Sequence, residues 1–172
     1  HARLRERFGA SRPFADTVVA VCSHVEAKTG VFIETLAAAG AEVVFTGSEP
    51  MSSQDDVIAA LTEQDGITGH MRHGVSDDEL ARLHETVLDQ NPNFILDDAA
   101  ELTARWVARH PDAAGLLGTC EQTTTGVQRL QAMAGQGVLH FPSYAVNDTP
   151  MKRYFDNVHG TGESSLSNLM AT

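Results

Sequence analysis

The chain has 172 residues, 42 % hydrophobic and 20 % charged, a globular composition that excludes disorder, collagen-like repeats and low complexity as its main character. A chain of this size buries roughly 70 % of its unfolded surface, enough for one domain with a real core. Its net charge of −11, from 23 acids against 12 bases, argues against nucleic acid as a partner, because a phosphate-binding surface needs the opposite sign.

No apolar run approaches the roughly 18 residues of a membrane span, and the opening stretch from His1 to Arg12 is basic. Neither a membrane anchor nor a signal peptide is expected. Two unpaired cysteines, Cys22 and Cys120, then point to the cytoplasm. His70 and His73 stand three apart without a cysteine or carboxylate cluster. They are read as solvated loop histidines, and no metal site is expected.

The first predicted strand is Thr17–Cys22 (TVVAVC). A helix follows from about Ala27 to Ala39, with Val31, Phe32, Thr35 and Leu36 on one side, and stops at Gly40. The second strand is Glu42–Thr46, after which Ser53 with Asp56 opens a helix carrying Val57, Ile58 and Leu61; Ser53 is read as its cap. A third strand, Ile67–Met71, precedes a capping box of Ser76 and Glu79 ahead of Leu80, Leu83, Val87 and Leu88. The strand Phe94–Asp97 leads to a helix with Leu102, Trp106 and Val107 before Pro111. The strand Leu116–Thr119 leads to a helix with Val127, Leu130 and Met133 that ends near Gly135 and Gly137. Val138–Val146 is the last strand. Strands apolar throughout, alternating with helices, predict an α/β fold: a three-layer, Rossmann-like domain with a mainly parallel sheet and helices on both faces.

In such a sheet ligands bind beyond the carboxyl ends of the strands. The residues there are polar: Ser23 and His24; Ser48, Ser52 and Gln54; Asp97 and Asp98; Glu121, Gln122, Thr123, Thr124 and Thr125; then Asn147, Asp148, Lys152, Asp156 and Asn157. One of the two adjacent aspartates suffices to cap the helix at Ala99, which leaves the other for function. Thr123–Thr125 reads equally as a plain helix start or as an anion site. Lys152 and Asp156 are neighbours on one helical face, either an exposed ion pair or a tuned proton-transfer lysine.

Six strings occur in order: CSHVEAKTGVFIETLAAAGAEV, SSQDDVIAAL, FILDDAAELT, EQTTTGVQRL, FPSYAVNDTPMKRYFDN and GTGES. Together they resemble the substrate-binding part of S-adenosylhomocysteine hydrolase (adenosylhomocysteinase), and the EAKT, FP-AVND and GTGES forms are similar to its archaeal and Thermotoga-like branch. The resemblance runs from about Leu4 to Thr172. It implies NAD-dependent, reversible hydrolysis of a thioether to adenosine and homocysteine by transient oxidation of the ribose 3′-hydroxyl, with the cofactor carrying the hard step. It implies that Lys152 and Asp156 contact the ribose hydroxyls and take the 3′ proton. His24 and Asp98 then serve elimination and water addition at C5′, and Thr123, Thr124, Thr125 and Asn157 reach the nicotinamide end of NAD. Ser52 and Gln54 fall near the homocysteine or adenine moiety. A cytoplasmic homo-oligomer of the methyl cycle is implied for the full-length protein.

The chain also departs from the family pattern. Gln122 stands where the family has a second glutamate that accepts from a ribose hydroxyl; it keeps an acceptor but no charge. Glu26 and Lys28 stand at the adenine edge in place of Thr-x-Glu or Thr-x-Gln. A lysine donates only, so Lys28 suits a 6-oxo purine such as an inosyl substrate. Thr161 replaces a cysteine common in relatives, and Cys22 and Cys120 are expected to pack rather than react. No G-x-G-x-x-G follows a strand. The expectation is therefore a substrate-binding domain over residues 1–172 that lacks the NAD-binding domain and is inactive alone. The alternatives are a non-catalytic nucleoside-binding module, or a related hydrolase or oxidoreductase acting on another nucleoside such as S-inosylhomocysteine.

Overall fold

A computed structural model describes residues 1–111 and 115–171. The strands β1 (Val18–Cys22), β2 (Glu42–Thr46), β3 (Ile67–Gly69), β4 (Phe94–Asp97), β5 (Gly118–Glu121) and β6 (Ser143–Ala145) form one sheet in the order β3-β2-β1-β4-β5-β6. Every neighbouring pair is parallel. The helices are α1 (Ala2–Phe8), α2 (Ala27–Ala38), α3 (Asp55–Thr62), α4 (Asp77–Leu88), α5 (Glu101–Arg109), α6 (Thr124–Gly135) and α7 (Gly162–Ala171), the last preceded by a π-wound segment, Lys152–Thr161. This is the expected Rossmann-like fold, and its order reverses between β1 and β4.

Side chains alternate across the sheet and build two apolar layers. Val19, Val21, Val43, Phe45 and Ile67 face one way, against Ile33 and Leu36 of α2 and Ile58 and Leu61 of α3. Ala20, Cys22, Val44 and Ile95 face the other way, against Val87 and Leu88 of α4 and Leu102 and Trp106 of α5. Burial on both faces explains why these strands are apolar without alternation.

The caps follow local chemistry. Gly40, at φ +102°, closes α2 in a Schellman motif: its N–H bonds Ala37 O at 2.9 Å and the N–H of Ala41 bonds Leu36 O at 3.2 Å. Ser76 accepts from the backbone N–H of Glu79 at 3.2 Å. Ser53 does not cap. Gln54 holds the N-cap position of α3, while Ser53 turns inward beneath Gly47, is 3 % exposed and leaves its hydroxyl without a partner.

Several boundaries move. Thr17 lies outside β1 because its N–H closes a turn onto Phe14 O. β3 ends at Gly69, short of Met71. β5 is set by its register with β4, Phe94 opposite Gly118 and Asp97 opposite Glu121, so it runs two residues later than Leu116–Thr119. β6 is confined to three residues: Val138 spends its N–H on Met133 O at the end of α6, and Pro142 has none to give. His70 is half-buried rather than solvated: its Nε2 is enclosed without a partner, and burial pulls its pKa down. His73 is exposed, with Nδ1 2.9 Å from Ser53 O.

Candidate active site

The reversal of strand order parts the loops that leave β1 and β4, and a cavity of about 430 Å³ opens there. The carboxyl ends of four strands and the π-wound segment supply its wall. From β1 and the start of α2 come Ser23, His24, Glu26, Lys28 and Thr29; from β4, Asp98; from β5, Gln122 and Thr123; from beyond β6, Val146, Lys152, Asp156 and Thr161. A second cavity of about 470 Å³, lined by Val21, Phe32, Leu96 and Cys120 among others, shares Ser23, Lys28, Thr29, Gln122 and Val146 with the first.

Asp97 and Asp98 divide their labour. Asp97 points into the fold and accepts from the N–H groups of Asp98, Leu102 and Thr103 and from the Thr103 hydroxyl. Burial raises its pKa to about 6 against the opposing pull of those bonds. Asp98 faces the cavity, with Oδ2 3.2 Å from His24 Nε2 and accepting from Ser48 Oγ at 2.9 Å. On the far side of the imidazole, Glu49 Oε1 lies 3.7 Å from His24 Nδ1. An imidazole between two carboxylates, one of them held by a serine, is equipped to take and return a proton.

Lys152 forms a second polar cluster. Its Nζ meets Asp156 Oδ2 at 2.7 Å and donates to Asn157 Oδ1 at 2.8 Å. A π turn closes i to i+5, so residues i+4 and i+5 both flank residue i. Lys152 is the more enclosed partner, 23 % exposed against 53 % for Asp156. At β5, Gln122 Nε2 donates to Ser23 Oγ at 3.2 Å and ties the ends of β1 and β5 together.

Of the remaining predicted residues, Thr123 lines the cavity and Thr124, Thr125, Ser52 and Gln54 do not. Thr123 is on the wall, at the N-cap position of α6, whereas Thr124 and Thr125 are exposed in its first turn. Ser52 donates to Glu49 O at 3.5 Å and Gln54 is exposed; neither lines the cavity. Cys22 is 1 % exposed and burial pushes its thiol pKa well up; the Cys120 thiol is pushed up for the same reason. Sequence reasoning passed over Glu49 and the bond from Ser48 to Asp98. Both depend on a loop folding back across β1, which carries no local pattern.

The model of the S-adenosyl-L-homocysteine hydrolase family matches residues 2–112 and 109–171. The chain belongs to this family. Over 170 residues it is 45 % identical to the adenosylhomocysteinase of Halobacterium salinarum, covering 98 % of this chain and 40 % of that protein. Over 168 residues it is also 45 % identical to the S-inosyl-L-homocysteine hydrolase of Methanopyrus kandleri, covering 97 % of this chain and 39 % of the relative. The adenosylhomocysteinase of Thermoplasma acidophilum is 44 % identical over 170 residues. The chain thus spans about two-fifths of the length of these curated relatives.

Glu26 and Lys28 form one edge of the cavity. Lys28 Nζ lies 3.0 Å from Glu26 Oε1, but it is 79 % exposed. An exposed pair contributes little to stability, and the ammonium is free to turn toward a ligand. No helix among the described residues is long and apolar enough to cross a membrane.

Proposed function

We propose that this chain is the substrate-binding domain of a hydrolase that splits the thioether of S-adenosylhomocysteine or S-inosylhomocysteine into a nucleoside and homocysteine. The observation that carries the reading is one cleft, at the reversal of strand order, that gathers His24 with Asp98 and Lys152 with Asp156. In this reading Lys152, steadied by Asp156 and Asn157, holds the ribose 3′-hydroxyl and takes its proton. His24 and Asp98 hold and return the proton exchanged at C5′. Gln122 accepts from a ribose hydroxyl. The cytoplasm and a homo-oligomer belong to the same reading for the longer protein.

NAD is the cofactor of this reading, and when bound it supplies a reversible hydride acceptor for ribose C3′. The residues present fit its nicotinamide end: Thr123 is on the cavity wall, Thr124 and Thr125 open the first turn of α6, and Asn157 is beside Lys152. In this reading the rest of the dinucleotide site is supplied from beyond residues 1–172.

Whether the base is adenine or hypoxanthine turns on Lys28. Its ammonium donates to a 6-oxo group and has nothing to accept from a 6-amino group. The test is titration of adenosine and inosine into the wild-type chain and Lys28→Glu. Inosine is expected to bind more tightly to the wild type, and the preference to reverse in the variant. Equal affinities in both proteins would remove Lys28 from base selection. Absence of binding by either nucleoside would remove the proposed function.

A further inference from the structure

We infer that Glu121, with Gly126 and Arg129 beside it, is a positioning residue that fixes the turn carrying Asp98 and so sets where that carboxylate meets His24. This rests on the reading of Asp98 as a working side chain of the cleft.

Glu121 ends β5, opposite Asp97 in the register, and is 0 % exposed. It does not line the cavity. Its carboxylate is aimed at backbone: it accepts from the N–H of Ala99 at 3.1 Å, of Ala100 at 2.8 Å and of Thr123 at 2.8 Å. Ala99 and Ala100 both occupy the left-handed region, at φ 64° and 55°. Two successive alanines persist there only when their surroundings hold them. Arg129 holds the same turn from outside, donating to Ala99 O at 2.6 Å and to Glu101 Oε1 at 2.6 Å. A Cβ at Gly126 would collide with the Glu121 carboxyl, so the glycine makes the room this carboxylate occupies. Asp97 grips the far side through the N–H groups of Asp98, Leu102 and Thr103. Asp98 is therefore gripped through the backbone on either side while its own side chain is left to His24 and Ser48.

The carboxylate accepts these bonds best when ionised, and a proton on either oxygen competes with an N–H for it. The charged and titratable groups around it are Asp97 and Asp98 at the end of β4, Glu101 of α5, Arg129 of α6 and the Cys22 thiol of β1, with His24 beyond Asp98. Burial, with the nearby Asp97 charge, lifts the Glu121 pKa to about 7, so its ionisation changes near neutrality.

The test is nuclear magnetic resonance of the 172-residue chain, titrated through neutrality. The amides of Ala99, Ala100 and Thr123 are expected to titrate together in the wild type and to lose that titration in Glu121→Gln. The His24 ring resonances are expected to shift in the same variant. Gly126→Ala keeps the carboxylate but displaces it, so it should move the same amides and the His24 ring while retaining a titration. The inference is overturned if the three amides show no common titration in the wild type, or titrate unchanged in Glu121→Gln. It is also overturned if the His24 ring is indifferent to both substitutions. Adenosine and inosine titrations on the same samples judge the proposed function separately, since the amide readout needs no ligand.

Discussion

Asp97 and Asp98 are chemically identical neighbours with opposite employment, and the difference lies in what each carboxylate can reach. Asp97 meets three N–H groups and a hydroxyl inside the fold; Asp98 meets an imidazole and a serine at the cavity wall. That two adjacent acids exceed the need of one helix cap was legible in FILDD. Which one caps was not, because it depends on the direction in which β4 leaves the sheet. Under the proposed function, Asp98→Asn is expected to lower kcat for thioether hydrolysis by roughly 10²–10⁴-fold, the range for losing a positioned acid or base, with little change in melting temperature. Asp97→Asn should do the reverse, lowering the melting temperature because an amide cannot satisfy so many donors with its nitrogen end. Steady-state kinetics beside thermal melts of both variants separate the two roles. Equal kinetic losses with equal melting temperatures would refute the division.

Helix ends divide into those written locally and those imposed from afar. Ser76 with Glu79, and Gly40 after α2, perform as their residue types dictate, because a side chain three residues away or a backbone without Cβ suffices. Ser53 has the right type and the wrong place: tertiary packing drew it beneath Gly47, and Gln54 took the N-cap position. Ser76→Ala is therefore expected to cost about 1 kcal/mol in a urea melt. Ser53→Ala should cost nothing or stabilise, since it removes a buried hydroxyl that has no partner. A larger loss at Ser53 than at Ser76 would contradict this assignment. The segment Lys152–Thr161 carries helical spacing for Lys152 and Asp156, but its π winding, which adds Asn157 to the pair, has no signature in MKRYFDN.

Over the whole molecule, the sheet edge that makes the cleft also concentrates buried acids, and stability and site geometry then ask for different protonation states. The pKa of Glu121 is raised from 4.5 to about 7 and that of Asp97 from 3.8 to about 6, chiefly by burial. A carboxyl whose folded pKa is raised contributes stability that is fully present below its unfolded pKa and is lost as pH rises through the folded value. The melting-temperature advantage of the wild type over Glu121→Gln should therefore be largest below pH ~4.5 and be lost as pH rises through ~7. An advantage that grows with pH would reverse the sign and remove burial as the dominant influence. The ionised form that costs stability is the one that best holds the Asp98 turn, so the fold gives up some stability near neutrality for a fixed site.

What the sequence determined by itself was local or periodic: apolar runs long enough for strands, helices between them, the α/β class, the caps at Gly40 and Ser76, and the ordered motifs that the family match bears out. What only the tertiary structure decided was adjacency. The contact of His24 with Asp98, the bond from Ser48, the reach of Gln122 to Ser23 and the grip of Glu121 on Ala99 and Ala100 all join segments distant in the chain. They exist because β1 lies between β2 and β4, and β4 beside β5. Patterning along a chain specifies which residues turn inward, whereas the order in which strands pair specifies which of them meet.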